Sequence, residues 1–229
     1  MLAVFHMLFW FLLTLVLYVI FRRLYQLIPY PFMIPVLTCT VFLVFILTTF
    51  DISYDVYFSG GQYIDALLGP AIVALAFPLY QQRKLISKYK VEILATVLTS
   101  SMLGILTGYW LAFMSGFNSL ITSTIISKNV TTPVAMEVST MTGGEPAIAV
   151  IFVMIAGIGG AVTGPWLFNI LGISNFLGIG MALGGASHAI GTAKALEYGE
   201  EEAAVSSIGL GLCALCVSVL GPIILKWIS

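Results

Sequence analysis

Charge is what this sequence has least of. Nine Lys+Arg and ten Asp+Glu among 229 residues make 8% of the chain and a formal net charge of -1. A water-soluble domain carries about 25% charged residues, so that class is excluded. No basic tract exists that could neutralise a row of phosphates, so nucleic acid is not an expected partner. Cysteine is equally scarce: Cys39, Cys213 and Cys216 are too few for a disulfide framework. The Cys213-Ala-Leu-Cys216 pair lies in an apolar run without His, Asp or a second Cys pair, which points to packing and not to metal or redox chemistry. Only two histidines occur, His6 and His188, and there is no HExxH. No metal and no cofactor is expected.

What is present is apolar: 60% hydrophobic residues and a mean hydropathy of +1.08. The expected fold class is an all-α integral membrane protein. The length accommodates roughly seven to eight transmembrane helices, several of them interrupted or re-entrant, in a bundle like that of a secondary transporter. The whole chain, 1–229, reads as a single polytopic domain with an N-terminal four-helix half (1–115) and a C-terminal half (116–229) holding the interrupted helices. The first run, Met1 to Phe21, has no basic n-region and no cleavage signal, so it reads as a retained helix closed by Arg22-Arg23. Pro29 and Pro31 break the path before a second run, about 32–50. An acidic loop with Asp51 and Asp55 follows, then a third segment, 64–80, that contains Gly69-Pro70 and ends near Pro78. Arg83, Lys84, Lys88 and Lys90 form the most basic stretch, before a fourth helix over about 91–115. Basic loops stay in the cytoplasm, and two spans separate these two basic sites, so the N-terminus is expected outside.

The second half keeps its polar residues inside the apolar runs. The 118–142 stretch is either a broken crossing, which gives about eight crossings and a C-terminus outside, or a re-entrant hairpin, which puts the C-terminus inside. Small residues recur at Ser100, Gly104, Gly108, Ala112 and Gly116, and at Ala156, Gly160 and Gly164. Such ridges let helices approach closely in lipid.

A buried charge must find a partner or line a wet cavity, which singles out Lys128, Glu137, Glu145 and His188. Lys128 and Asn129 precede Thr131-Thr132-Pro133, where a Thr serves as N-cap and Pro133 as the first helical residue. A helix starting there at membrane depth would gather free N–H groups, hydroxyls and an ammonium around an anion. In Gly184-Gly185-Ala186-Ser187-His188-Ala189-Ile190-Gly191-Thr192, the spacing puts Gly180, Gly184, His188 and Gly191 on one face of a continuous helix, with the imidazole in a groove. That imidazole either ties helices through a carbonyl or carries a proton. Gly69-Pro70 offers a third break. Ser187 and His188 diverge by about 100° on a helix, so they form no nucleophile–base pair, and an enzyme is not expected.

These stretches resemble the LrgB/CidB family of bacterial membrane proteins. The resemblance rests on Leu68-Gly69-Pro70-Ala71, on Lys128-Asn129-Val130-Thr131-Thr132-Pro133-Val134-Ala135-Met136-Glu137, on Gly143-Gly144-Glu145-Pro146 and on Ser187-His188-Ala189-Ile190-Gly191-Thr192-Ala193. It spans nearly the whole chain, and Ser127-Lys128-Asn129 is its one mild departure. It implies a multi-pass protein of the bacterial plasma membrane, and two functions of different class. One is an antiholin-like regulator of murein hydrolase activity and autolysis, acting with a small LrgA/CidA-type partner. The other follows from similarity to the membrane domain of the plastidial glycolate/glycerate translocator: a secondary carrier of small monocarboxylates such as glycolate, glycerate, lactate or pyruvate. The residues favour the carrier. Lys128, Asn129, Thr131, Thr132, Ser187, His188 and Thr192 would hold the carboxylate; His188 and Glu137 are candidates for proton coupling; Gly69, Pro70, Pro133, Gly184, Gly185 and Gly191 would be helix breaks. Homo-oligomers are compatible with this reading.

Overall fold

The computed structural model describes residues 2–28, 30, 33, 35–74 and 76–228. The expected breaks at Pro29 and Pro31 lie outside them. Every regular element among the described residues is helical, and five helices are long and apolar enough to cross a membrane: Phe5–Leu27, Lys90–Met114, Pro146–Leu171, Phe176–Ala195 and Glu200–Trp227. In lipid, only a helix satisfies its own backbone within one segment, so an apolar chain without alternation has this as its open-membrane solution. The chain forms two compact units, Met1–Pro70 and Ala71–Ser229.

The first unit contains α1 (Leu2–Leu27), α2 (Pro35–Thr49) and α3 (Tyr54–Asp65). Arg22-Arg23 does not close α1; the helix continues one further turn, because nothing in Leu24 to Leu27 opposes helical geometry. Leu17, Cys39 and Leu43 are buried together. Gly60 lets α3 approach the backbone of α1: a Cβ there would stand 2.5 Å from the Met7 carbonyl oxygen and 2.8 Å from the Trp10 Cβ. Trp10 and Tyr57 meet edge to face at 5.9 Å on the same contact.

The expected third span, 64–80, is not one helix. A turn at 66–67 separates Asp65, the end of α3, from α4 (Leu68–Ala74); α5 (Ala76–Gln81) lies beyond residue 75, which is outside the described residues, and α6 (Arg83–Lys88) follows. Gly69 and Pro70 lie in the first turn of α4, where a missing N–H costs nothing.

Three long helices frame the second unit: α7 (Lys90–Met114), α10 (Pro146–Leu171) and α12 (Glu200–Ile228). Between α7 and α10 the chain forms α8 (Ser119–Ile125) and α9 (Thr132–Met141), and α11 (Phe176–Ala195) lies between α10 and α12. The α7 and α10 ends use the same device, a glycine in the left-handed region. Gly116 (φ 70) and Gly172 (φ 66) turn the chain, so that the Phe117 and Ile173 amides donate back to the Ala112 and Phe168 carbonyls. Asn118 and Asn175 then cap the next helices by accepting from the Ile121 and Gly178 amides.

The 118–142 stretch is a hairpin. Ser127 Oγ donates to the Ala135 carbonyl near its tip, and at its base Thr142 Oγ1 donates to the Ser123 carbonyl while Thr124 Oγ1 accepts from the Glu145 amide. These pairs run in opposite directions along the chain, so α8 and α9 are antiparallel arms and 126–131 is the tip. Because α10 departs from the base of this hairpin, it runs back against α7.

A further correction concerns α11, which does not continue straight. His188 has φ 44 and ψ -130, outside helical space. Beyond it the chain doubles back: a Cβ on Gly191 would fall inside contact distance of the Leu183 carbonyl, eight residues earlier. Facing α10, Gly157 meets His188, Gly160 meets Ser187 and Gly164 meets Leu183. Phe168, one turn further, meets Tyr198 ring to ring at 6.2 Å, and Ala195 is buried in one cluster with Phe168 and Ile179. Residues 176–187 and 189–195 are therefore the two arms of a second hairpin with its tip at His188. Entering and leaving at one end, it does not cross, so α12 starts at the end where α7 starts and finishes at the other.

Candidate functional site

Each hairpin reaches only to the interior of the long helices, and the two tips come from opposite ends. The first is registered on α7: a Cβ on Gly104 would be 3.0 Å from the Asn129 side chain, and one on Gly108 3.1 Å from Lys128 Nζ. Gly104 lies about 15 Å from the C-terminal end of α7 at 1.5 Å per residue. The second tip is registered on α10, where His188 Nε2 is 3.0 Å from the Val153 carbonyl oxygen, about 10 Å inside the helix start. Val153 belongs to the same buried cluster as Ile105 on α7 and Val130 on the first tip. The breaks at 126–131 and at His188 thus lie at adjoining depths, with this apolar cluster between them. No hydrogen bond among the described residues joins Lys128 to His188.

Lys128 Nζ donates to the Gly104 carbonyl at 2.5 Å and to Thr107 Oγ1 at 3.3 Å. Both partners are neutral, and the only ion pair among the described residues is Lys194–Glu197 at the base of the second hairpin. Thr131 is the N-cap residue of α9 by backbone conformation, yet its hydroxyl caps nothing. Oγ1 of Thr131 and Oδ1 of Asn129 are buried without a partner. Thr132 opens the helix, and Pro133 occupies its second position instead of the first. The first tip thus holds an ammonium, an unpartnered hydroxyl and the free N–H groups of a helix start, groups that favour negative charge, together with an unpartnered amide oxygen that accepts and does not.

At the second tip His188 is 3% exposed and Ser187 1%. A carbonyl only accepts, so Nε2 carries the proton toward Val153 and Nδ1 is left as a bare acceptor. Nδ1 and Ser187 Oγ have no partner. Thr192 Oγ1 donates to the His188 carbonyl and shares a 2.9 Å hydrogen bond with Ser206 of α12, closing the second arm onto that helix.

The expected helix breaks at Gly184 and Gly185 are corrected: both lie within the first arm, and the break is at His188 itself. Gly184 permits backbone contact with Ser206 of α12, and Gly185 packs against Ser100 and Cys213. Consequently Gly180, Gly184, His188 and Gly191 share no single face. Glu137 is on the exposed side of α9 and is not brought to His188. Glu145 accepts from the Ala147 amide as the N-cap of α10. His6 is on the exposed side of α1, edge-on to Phe5. Cys213 is buried and within 3.2 Å of Ser100 Oγ. The sequence reading missed Gly157 and the Val153 carbonyl. The stripe read at 156, 160 and 164 was one position off at its start, since the seat for the second tip is Gly157, Gly160 and Gly164.

Long apolar helices with two hairpins entering from opposite ends define a polytopic helical membrane protein. The arrangement is an inverted pair: α7 followed by a hairpin from its far end, then α10, running oppositely, followed by a hairpin from its own far end. Inverted repeats with breaks near the membrane midplane are a recurrent architecture of secondary transporters. The LrgB-like family profile matches residues 14–227, and the chain belongs to that family. It is 46% identical over 213 residues to the uncharacterized protein YxaC of Bacillus subtilis (strain 168), covering 93% of each chain. Over 214 residues it is 37% identical to the Holin-like protein CidB of Staphylococcus aureus (strain N315), again covering 93% of each. A CidB of Staphylococcus epidermidis is 35% identical with the same coverage. No solved structure matches.

Proposed function

We propose that this protein is a holin-like component of the bacterial plasma membrane, acting with a small LrgA/CidA-type membrane partner in control of murein hydrolase activity and autolysis. The observation that carries the reading is the 37% identity to proteins named holin-like, extending over 93% of both chains. The resemblance to the LrgB/CidB family supplies the partner and the process. The test is deletion of the gene in its host together with affinity purification of the tagged full chain. Altered autolysis and stable co-purification of an LrgA-type protein are expected. Unchanged autolysis, with the protein isolated alone, would reject the reading.

A second reading is favoured by two hairpins that enter from opposite ends and break at adjoining depths: a carrier of small monocarboxylates. Lys128, Asn129, Thr131 and Thr132 would take the carboxylate, with Ser187, His188 and Thr192 of the second hairpin completing the site from the opposite end. What supports it is a half-buried lysine bonded to neutral groups alone, in the tip from which a helix without a side-chain cap starts. His188 is the candidate for proton coupling; Glu137, on the exposed side of α9, is a remote one. Uptake of labelled glycolate, lactate or pyruvate into proteoliposomes tests it, and the carrier is refuted by no uptake of any, or by full uptake in Lys128→Ala. The two readings are compatible, because loss of a carboxylate carrier would disturb autolysis through acid metabolism.

A further inference from the structure

We propose that a cleft between α6 and the start of α12 binds a zwitterion bearing an anionic group and a primary ammonium, the chemistry of an aminophospholipid headgroup. The cleft has a volume of about 510 Å³ and is lined by Gln82 and Lys88, by Glu200 and Glu201 from the start of α12, and by Tyr89 and Phe176. Small-molecule sites fall in the range of roughly 300–1,000 Å³. Charges of both signs line this one, and they do not satisfy one another. Lys88 is exposed, with Nζ 4.9 Å from the centroid of the Tyr89 ring. Glu200 and Glu201 are exposed as well, and the only ion pair among the described residues is Lys194–Glu197.

Acidic residues in a first helical turn are favourable on their own account, through the helix dipole. That dipole does not account for a lysine lining the same cleft without closing onto them. An anion alone would meet two carboxylates there, and a cation alone would meet Lys88. A dipolar ligand satisfies both ends: its anionic group on Lys88 and the Gln82 amide, its ammonium on Glu200 and Glu201. The surroundings point to a headgroup. Tyr89 directly precedes α7, and Phe176 and Glu200 open α11 and α12, so three helix starts frame the cleft. Membrane helices end at the level of the lipid headgroups, where Tyr is enriched and charged pockets between helices take headgroups. The Tyr89 and Phe176 rings meet edge to face at 5.8 Å, and both pack on the buried cluster that holds Ile93, Met181 and Val205, so the aromatic wall is held by the core. The cleft lies at the helix ends, away from both hairpin tips, and rests on neither functional reading.

The experiment follows thermal unfolding of the purified full-length protein in detergent, titrated with short-chain phosphatidylethanolamine, short-chain phosphatidylglycerol or water-soluble glycerophosphoethanolamine. A saturable rise in Tm with phosphatidylethanolamine is expected. Its apparent Kd should be at least about tenfold lower than that of phosphatidylglycerol, which has no ammonium; tenfold is the worth of one charge-assisted hydrogen bond. Lys88→Gln should weaken the binding of both lipids, and Glu200→Gln combined with Glu201→Gln that of phosphatidylethanolamine alone. All three residues are exposed, so the variants should fold as the wild type does. Glycerophosphoethanolamine separates the two sources of this chemistry: a rise matching that of the lipid assigns a soluble zwitterion, and a rise with the lipid only assigns a membrane headgroup. Equal affinity for the two lipids, or an undiminished phosphatidylethanolamine response in the double variant, overturns the proposal. If the double variant does not fold, Lys88→Gln decides, and an unchanged apparent Kd overturns it.

Discussion

Gly157→Ala is the sharpest test of the second hairpin. A Cβ on Gly157 would stand 2.6 Å from both Cε1 and Nε2 of His188 and 2.9 Å from Cδ1 of Ile190. Ordinary carbon contacts are about 3.5–4.0 Å, so the imidazole would have to retreat by about 1 Å. It cannot do so in place, because it is buried and its Nε2 is hydrogen-bonded to the Val153 carbonyl. Overpacking of this kind costs about 1–3 kcal/mol, and losing the hydrogen bond adds about 1 kcal/mol. The better helix propensity of alanine returns about 1 kcal/mol, leaving a net destabilisation of about 1–3 kcal/mol. Gly159→Ala is the internal control, on the same helix with nothing within 4 Å of its Cβ; it should be neutral or stabilising by up to about 1 kcal/mol. Thermal unfolding of both variants in one detergent, against wild type, gives the comparison. Adding His188→Ala to Gly157→Ala should restore part of the loss, since the two changes share one contact and are not additive. Equal stability of Gly157→Ala and Gly159→Ala would refute the seating of the His188 tip on α10.

The hairpins also predict sidedness. On a cysteine-free background, Ser174→Cys and Glu197→Cys should react with an impermeant thiol reagent from one side of the membrane, and Phe117→Cys and Met141→Cys from the other. A crossing at 176–195 would place Ser174 and Glu197 on opposite sides. Thr131→Val removes a buried hydroxyl that has no partner, so it should leave folding stability unchanged or raise it by about 1 kcal/mol, in contrast to the usual loss of an N-cap; a Tm drop matching that loss would show that the hydroxyl caps α9. Gly184→Ala should destabilise by more than about 2 kcal/mol, because its Cβ would meet the Ser206 backbone on α12, which cannot rotate away; a Tm within the scatter of wild type would contradict the close approach of those helices.

Composition alone determined that the chain is helical and lives in lipid: with 8% charged residues there is no water-soluble alternative. Local chemistry determined that a helix starts near Thr131-Thr132-Pro133, since proline at the second helical position sacrifices no hydrogen bond. The Gly-rich run around His188 was legible as a special segment for the same reason, backbone freedom without bulk. What the sequence left open was direction. A broken crossing and a hairpin contain the same apolar arms and the same break, and differ only in whether the second arm continues or returns. That choice is made by contacts between residues distant in the chain, such as Thr142 with Ser123 and Gly191 with Leu183. Helical periodicity placed His188 on a continuous face, because periodicity assumes the φ/ψ values that His188 itself abandons. So the scarcity of charge decided which residues had to be explained, while long-range packing decided that Lys128 and His188 are presented at adjoining depths from opposite ends of one bundle.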